Sequence, residues 1–402
     1  MVNLEKFITK SVIGEFAYDL SKKMNVETLS IHALPSLDQL KTYPENSIVI
    51  LENGVQQIID DPDRTIDFRN LVAYMAKVIC VEDHTTSLPF DRIATASRDR
   101  DLPLEFFGYA KDHLGRSRLI SIFSKNFNKQ NNVPPKNFRV VALIATYNER
   151  DVIDSVVQHF HQNTVDVYIL DNWSTDGTYE KAAQLKGIIG LERFPAKKPT
   201  QYFELVEILK RKEELSRILY GDWFFHCDAD EIRESPWQEL NLREAFYQVE
   251  REGYNAVDFS ILKFHPTDNS FQEGKSLTDQ LRYCKFETPN SLHKISAWKK
   301  NNHLVDLHSR AGHDLIFEGR RVYPIKFLLR HYPIRSQEHG ERKVFDERKT
   351  RWNPELKKRG WHVQYDQLVK GCNFIKNPRD LILFDDDFYQ KYLFERLTGS
   401  GL

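Results

Sequence analysis

Cysteine is scarce in this sequence: 4 residues of 402, at Cys80, Cys227, Cys284 and Cys372, with no C-x-x-C spacing. Thiols so scattered exclude a disulfide framework and a zinc ribbon, and they suit a reducing compartment. Long hydrophobic runs are missing too. No stretch approaches the roughly 20 apolar residues of a membrane helix. Met1 to Leu20 carries charges throughout and has no apolar core of the kind a signal peptide needs. The expectation is a soluble, cytoplasmic protein, with peripheral contact at the inner face of a membrane left open. An excess of either charge is also lacking. The net charge is −1, so the totals give no reason to expect nucleic acid as a partner. Internal repeats and a glycine-rich phosphate loop with its lysine are absent as well.

What remains is an ordinary globular composition, 41% apolar and 29% charged, with ample material for a core. A chain of 402 residues exceeds one usual core, so two domains and an appendage are expected. Over 1–125, helical periodicity (Leu4 to Lys23, Phe68–Ala76, Leu104–Phe123) alternates with β-rich runs at Thr28–Ala33, Ser47–Leu51 and Lys77–Val81. That alternation predicts a small accessory α/β domain with a partly parallel sheet. The polar, Asn-rich stretch 126–136, closing on Pro134-Pro135, reads as a linker.

A second α/β pattern follows over 137–345. The strands are read at Phe138–Ala145, Asp166–Leu170, Ile188–Phe194 and Trp223–Cys227. The helices between them are read at Glu149–His161, Thr175–Lys186 (ended by Gly187) and Tyr202–Leu219. Near-continuous apolar strands separated by helices describe an open, doubly wound parallel sheet. Such sheets bind ligands outside the carboxyl ends of their strands. The tail, 346–402, is rich in charge and aromatics and reads as a helical C-terminal extension. Lys197-Lys198 and Lys357-Lys358-Arg359 are basic clusters whose default reading is solvated surface, with an anionic glycan or lipid headgroup as the alternative.

Three strand ends are loaded with polar residues: Thr146-Tyr147-Asn148-Glu149, then Asp171-Asn172-Trp173-Ser174-Thr175-Asp176-Gly177-Thr178, then Asp228-Ala229-Asp230-Glu231. Helix caps and turns account for the first two taken singly. They do not account for the third, where an apolar strand delivers three carboxylates within four residues. Crowded carboxylates repel unless a cation or solvent relieves them. In an extended segment, residues i and i+2 face the same way, so Asp228 and Asp230 are expected to share one hard cation, Mn²⁺ or Mg²⁺.

The ordered segments ALIATYNERDVI (142–153), VYILDNWSTDGT (167–178) and DWFFHCDADE (222–231) resemble family 2 glycosyltransferases, over about 136–345. The resemblance implies a GT-A, Rossmann-like nucleotide-diphospho-sugar transferase fold for 137–345. It implies that Thr146, Asn148, Glu149 and Asp171 hold the nucleotide base, and that Asp228 and Asp230 hold the cation and the ribose–diphosphate. It further implies a nucleotide-diphosphate sugar donor (UDP-type favoured), transfer with inversion to a hydroxyl of a glycan or lipid-linked glycan, and a place in bacterial surface polysaccharide synthesis.

The family's acidic pair before a helix has no clear match here, so the base that deprotonates the acceptor stays open among Asp268, Glu287, Asp306 and Asp314. Asp314, in Gly312-His313-Asp314, is favoured among these four, with an ordinary polar loop as the competing reading. Histidines crowd 293–339: His293, His303, His308, His313, His331 and His339. Each alone is usually a solvated or core residue. His313 follows a glycine, where backbone can approach a ligand. His331 emerges from the apolar run Phe327-Leu328-Leu329 and is read as a third metal ligand, with contact to the diphosphate as the alternative. Arg335 and Lys343 are read as partners of diphosphate oxygens, against a solvated helix face. Two other functions compete with glycosyl transfer: nucleotidyl transfer, weakened by the missing Gly-rich loop, and a non-catalytic binding module, weakened by the intact Asp228/Asp230 pair.

Overall fold

The computed structural model describes residues 28–398 apart from 32, 44–47, 76, 83–89, 101, 112–116, 125–131, 198–201, 288–293 and 359–365. The helix expected from Leu4 to Lys23, most of the linker, Lys198, Arg359 and His293 lie outside the described residues. The chain divides into two compact units, Met1–Asn132 with Asp386–Leu402, and Val133–Asp385. The tail expected as one extension over 346–402 is therefore shared between the units. No described helix is long and apolar enough to cross a membrane. All four cysteines are free thiols.

The first unit is built on a sheet of β1 (Thr28–Ile31), β2 (Ile48–Glu52), β3 (Lys77–Glu82), β4 (Leu104–Lys111) and β5 (Ser117–Phe123), in the order β1-β2-β3-β5-β4. β1, β2 and β3 run parallel, as read from the sequence, and β5 and β4 add antiparallel. The helix expected over Leu104–Phe123 is thus a hairpin. Phe106, Phe107, Tyr109, Ile120 and Ile122 suit a pleated, half-buried surface, Gly108 lies inside the stretch, and pairing with β3 overrides local helical periodicity. The helix Thr65–Tyr74 packs Phe68, Leu71 and Val72 onto this sheet.

The second unit contains β6 (Val140–Thr146), β7 (Asp166–Asp171), β8 (Ile188–Arg193), β9 (Trp223–Asp228), β10 (Glu231–Glu234), β11 (Ala256–Val257), β12 (Phe259–Phe264), β13 (Tyr283–Phe286), β14 (Ala297–Lys299), β15 (Phe327–His331) and β16 (Ile382–Leu383). One sheet runs β11-β14-β9-β6-β7-β8, with β9, β6, β7 and β8 parallel. A second runs β10-β15-β12-β13-β16. The protein is therefore a mixed α/β fold with parallel-containing sheets. β6 is apolar because both its faces are covered. The helix Ile153–Gln162 follows it and buries Ile153, Val156, Val157 and Phe160, each contributing about 1.5–3 kcal/mol. The expected helix Thr175–Lys186 shrinks to Thr178–Ala182, because Asp176 Oδ1 accepts from the Thr178 backbone N–H at 2.9 Å and sets the start there. The segment 346–385 is only partly helical: after Pro354–Lys358 it is largely irregular and ends in β16, which pairs with β13.

From β6 the chain steps to β7 and β8 on one side, then returns to β9 on the other. That reversal is a topological switch point. The carboxyl ends of β6, β7 and β9 carry Thr146, Asp171 and Asp228.

Candidate functional site

Register brings the loaded ends together: Thr146 pairs with Asp171, and Ala145 with Asp228. The first two loops also lock each other. The backbone N–H of Asn148 donates to Ser174 Oγ (3.0 Å) and that of Glu149 to Thr178 Oγ1 (3.0 Å), while Asn148 Oδ1 accepts from the Thr175 N–H at 2.9 Å. Asn148 sits at φ 53° to make this corner.

Two buried polar atoms on this edge have no partner among the described residues: Thr146 Oγ1 and Asp171 Oδ1. The other oxygen of Asp171, Oδ2, accepts from the Ser174 N–H at 3.0 Å. Asp171 is fully buried, and burial, opposed by Ser174, raises its pKa. An unpaired buried oxygen costs about 1–3 kcal/mol, and two of them fall on neighbouring strand ends here. Nearby, the Arg351 guanidinium lies 3.6 Å over the Tyr147 ring and donates to Asn172 Oδ1 at 2.7 Å.

Asn148, Glu149 and Arg335 do not present themselves to a ligand as expected. Asn148 Nδ2 donates to Glu347 Oε1 at 3.0 Å. Arg335 is fully buried, with Nη2 2.7 Å from Glu149 Oε2 and Nε 2.7 Å from Asp151 Oδ2. Lys343 Nζ bridges Glu149 Oε1 at 2.6 Å and Asp230 Oδ2 at 2.7 Å. A buried carboxylate after β6, Glu149, and one after β9, Asp230, demand buried cations, and the segment 335–343 supplies them, with half-buried Asp151 completing the Arg335 site. Arg335 and Lys343, expected at diphosphate oxygens, are placed in these internal pairs. His339 joins this network through Nε2, 2.6 Å from Arg335 Nη2.

Asp228 and Asp230 diverge. β9 stops at Asp228, and Ala229-Asp230 form a turn into β10, so the extended i, i+2 geometry is lost. Asp228 is exposed and Asp230 buried. Burial alone would push Asp230 up, but the Lys343 ammonium and then His331 hold its carboxyl well below the usual range. His331 Nε2 stands 3.8 Å from Asp230 Oδ1. Among the described residues, Asp228, Asp230 and His331 do not bring three ligand atoms within 4.8 Å of one another. The donor chemistry nonetheless fits a hard cation. The Asp228 carboxylate has no hydrogen-bond or ion-pair partner among the described residues, and its crowded surroundings, then the Glu231 carboxylate, raise its pKa. Oδ1 of Asp230 is left to His331 alone among the described residues.

Under this edge lies a lysine that periodicity makes legible. In the helix Leu205–Ile218 the buried positions are Ile208, Leu209, Lys212, Leu215 and Ser216, so Lys212 falls on the apolar stripe. Its Nζ lies 2.8 Å from His226 Nδ1 and 3.0 Å from the Cys227 carbonyl. Burial lowers it to about 8, against the pull of Asp228.

The remaining candidates scatter. Asp314 is ion-paired with Arg320 at 2.6 Å, which makes it a poor base. His313 is exposed. The nearby Lys294 charge lowers it to about 4, with Glu231, Glu287 and His331 also acting on it, which favours the neutral imidazole. Glu287 stands 3.3 Å from Lys263. Asp268 folds back on Ser270. Asp306 caps Ser309 and, with Glu213 and His308, lines a cavity of about 250 Å³. Glu213 Oε1 already accepts the Leu307 and His308 backbone N–H groups there. Lys357 and Lys358 pair with Asp366 and Glu355 at the surface.

No family model and no curated protein matches the chain. Among solved structures, a protein of Thermus thermophilus described as mannose-1-phosphate geranyltransferase matches with a TM-score of 0.21 and 10% identity, over 64% of this chain and 71% of that one. A likeness at that TM-score carries no argument.

Proposed function

We propose that the second unit is a GT-A-like glycosyltransferase that uses a nucleotide-diphosphate sugar. One observation carries this reading: at the switch point of a parallel sheet, the carboxyl ends of neighbouring strands hold two buried atoms without partners among the described residues, Thr146 Oγ1 and Asp171 Oδ1, next to the Asp228 carboxylate, which likewise has none among them. Asp171 Oδ1 accepts an N–H of the base, which favours a UDP-type donor with its imide N–H, and Thr146 Oγ1 supplies the adjoining hydrogen bond. Asp228 and the free oxygen of Asp230 hold Mn²⁺ or Mg²⁺, with His331 beside them. When bound, that cation neutralises charge on the departing diphosphate. Asn148, by locking the two loops, and Glu149, through the ion network, shape the base site rather than contact the base directly. His313 offers a neutral imidazole on the acceptor side, where the hydroxyl of a glycan or lipid-linked glycan enters opposite the diphosphate, giving inversion.

The test is a panel of nucleotide sugars with Mn²⁺, scored for transfer or hydrolysis. Asp228→Ala is the informative variant. Its side chain has no partner among the described residues, so the protein stays folded while metal-dependent turnover disappears. Absence of turnover with every donor, together with no binding of UDP or GDP, sinks the reading.

A further inference from the structure

Deeply buried cations in the second unit are engaged: Arg335 with Glu149 and Asp151, Lys343 with Glu149 and Asp230, Lys326 with Asp258 at 2.9 Å, Arg233 with Glu231 at 2.9 Å, and Lys212 with His226 Nδ1 and the Cys227 carbonyl rather than an anion. Lys294 is the exception. It is 4% exposed, yet its ammonium forms no hydrogen bond or ion pair among the described residues; only its backbone N–H is engaged, by Asp258 Oδ1 at 2.7 Å. Its stem is enclosed while the ammonium is not among the fully buried atoms, so the charged tip is held at the end of a fixed side chain and left available to a ligand.

Its position explains the anomaly. β14 runs antiparallel to β9 with Ala297 opposite Phe225, and the His226 N–H donates to the Ser296 carbonyl at 2.8 Å. Continuing that register by three residues sets Lys294 across from Asp228. The Lys294 charge also acts on Asp228, Glu231 and His313. An ammonium and a carboxylate, each without a partner among the described residues, thus occupy opposite register positions at the strand edge with no ion pair between them. A group that fills such a gap must show negative charge to the lysine and positive charge to the aspartate. A phosphoryl oxygen coordinated to a divalent cation does both.

We infer that Lys294 binds a phosphoryl oxygen of the donor diphosphate, across the cleft from Asp228. This inference rests on the transferase reading and can fail separately from it. Titration calorimetry on the full chain with Mn²⁺ first establishes which of UDP or GDP the wild type binds. Lys294→Met should then weaken that diphosphate by about 10- to 100-fold, since a charged hydrogen bond is lost. Affinity for the matching nucleoside should not change, and the unfolding temperature should not fall. Lys326→Met, which strands Asp258, is the folding control and should lower it. Equal diphosphate affinity in wild type and Lys294→Met overturns the inference while leaving the transferase reading standing. A drop in unfolding temperature matching that of Lys326→Met also overturns it, by making the ammonium structural. Failure of the wild type to bind either nucleotide removes both.

Discussion

Lys77 in the first unit and Lys294 in the second are buried almost equally, at 2% and 4% exposure, yet their surroundings are opposite. Lys77 Nζ holds Glu105 Oε2 at 2.7 Å and Ser124 Oγ at 2.9 Å. Lys294 holds nothing among the described residues. The carboxylates repeat the contrast. On β3, Glu82 accepts the Val55 backbone N–H at 2.9 Å through one oxygen and that of Gln56 at 3.3 Å through the other. On β7, Asp171 keeps one oxygen idle. Burial is the same on both sides; closure of the polar ledger is not. In these two comparisons the matched residues read as architecture, and the unmatched ones stand at the strand ends assigned to a ligand.

The largest effect that would break this distinction comes from the ion network. Lys343→Met strands Glu149 and Asp230, and should lower stability in urea unfolding by about 3–5 kcal/mol. A loss under about 1 kcal/mol would mean that the network is not architectural. Next comes the pH response of the first unit. Burial lifts Glu82 from its ordinary 4.5 to about 7. In that window the folded state binds the proton and the unfolded state does not, so stability falls as pH rises through it, by up to about 3 kcal/mol, and is flat above. Unfolding midpoints at pH 5 and pH 8 should show this slope in the wild type and lose most of it in Glu82→Gln. Asp171→Asn sharpens the other side. The amide keeps an acceptor for Ser174 but turns a donor toward the base. Nucleotide affinity should fall about 10- to 100-fold with no loss of thermal stability. The smallest effect is expected at Gly312, whose φ is +76° and where a Cβ would lie 2.8 Å from His226 Nε2. Gly312→Ala should cost about 1–2 kcal/mol in unfolding free energy.

The parallel core was legible because β6 and β9 are apolar on both faces, and a run such as Val140–Ile144 has few alternatives. The strand-end residues Thr146, Asp171 and Asp228 followed from those runs by counting. The ion network was not legible, since Lys343 lies 194 positions from Glu149 and 113 from Asp230, and no local pattern reports a pairing at that distance. The same limit hid Lys294, whose neighbours in sequence say nothing about Asp228. The hairpin Leu104–Phe123 was misread for the converse reason: its period is decided by β3, to which β5 pairs. Asp228-Ala229-Asp230 was found as a motif, but its geometry depends on a turn that the extended reading passed over.

The return of residues 386–398 to the first unit bears on how the protein is made. Helices Phe388–Lys391 and Leu393–Thr398 pack on β4, burying Phe388 and Leu393. A ribosome delivers the first unit's strands early, but their last cover arrives only after the whole second unit has emerged. Until then that apolar surface stands open in the nascent chain, so a truncation at residue 385 would harm the unit made first, not the one made last.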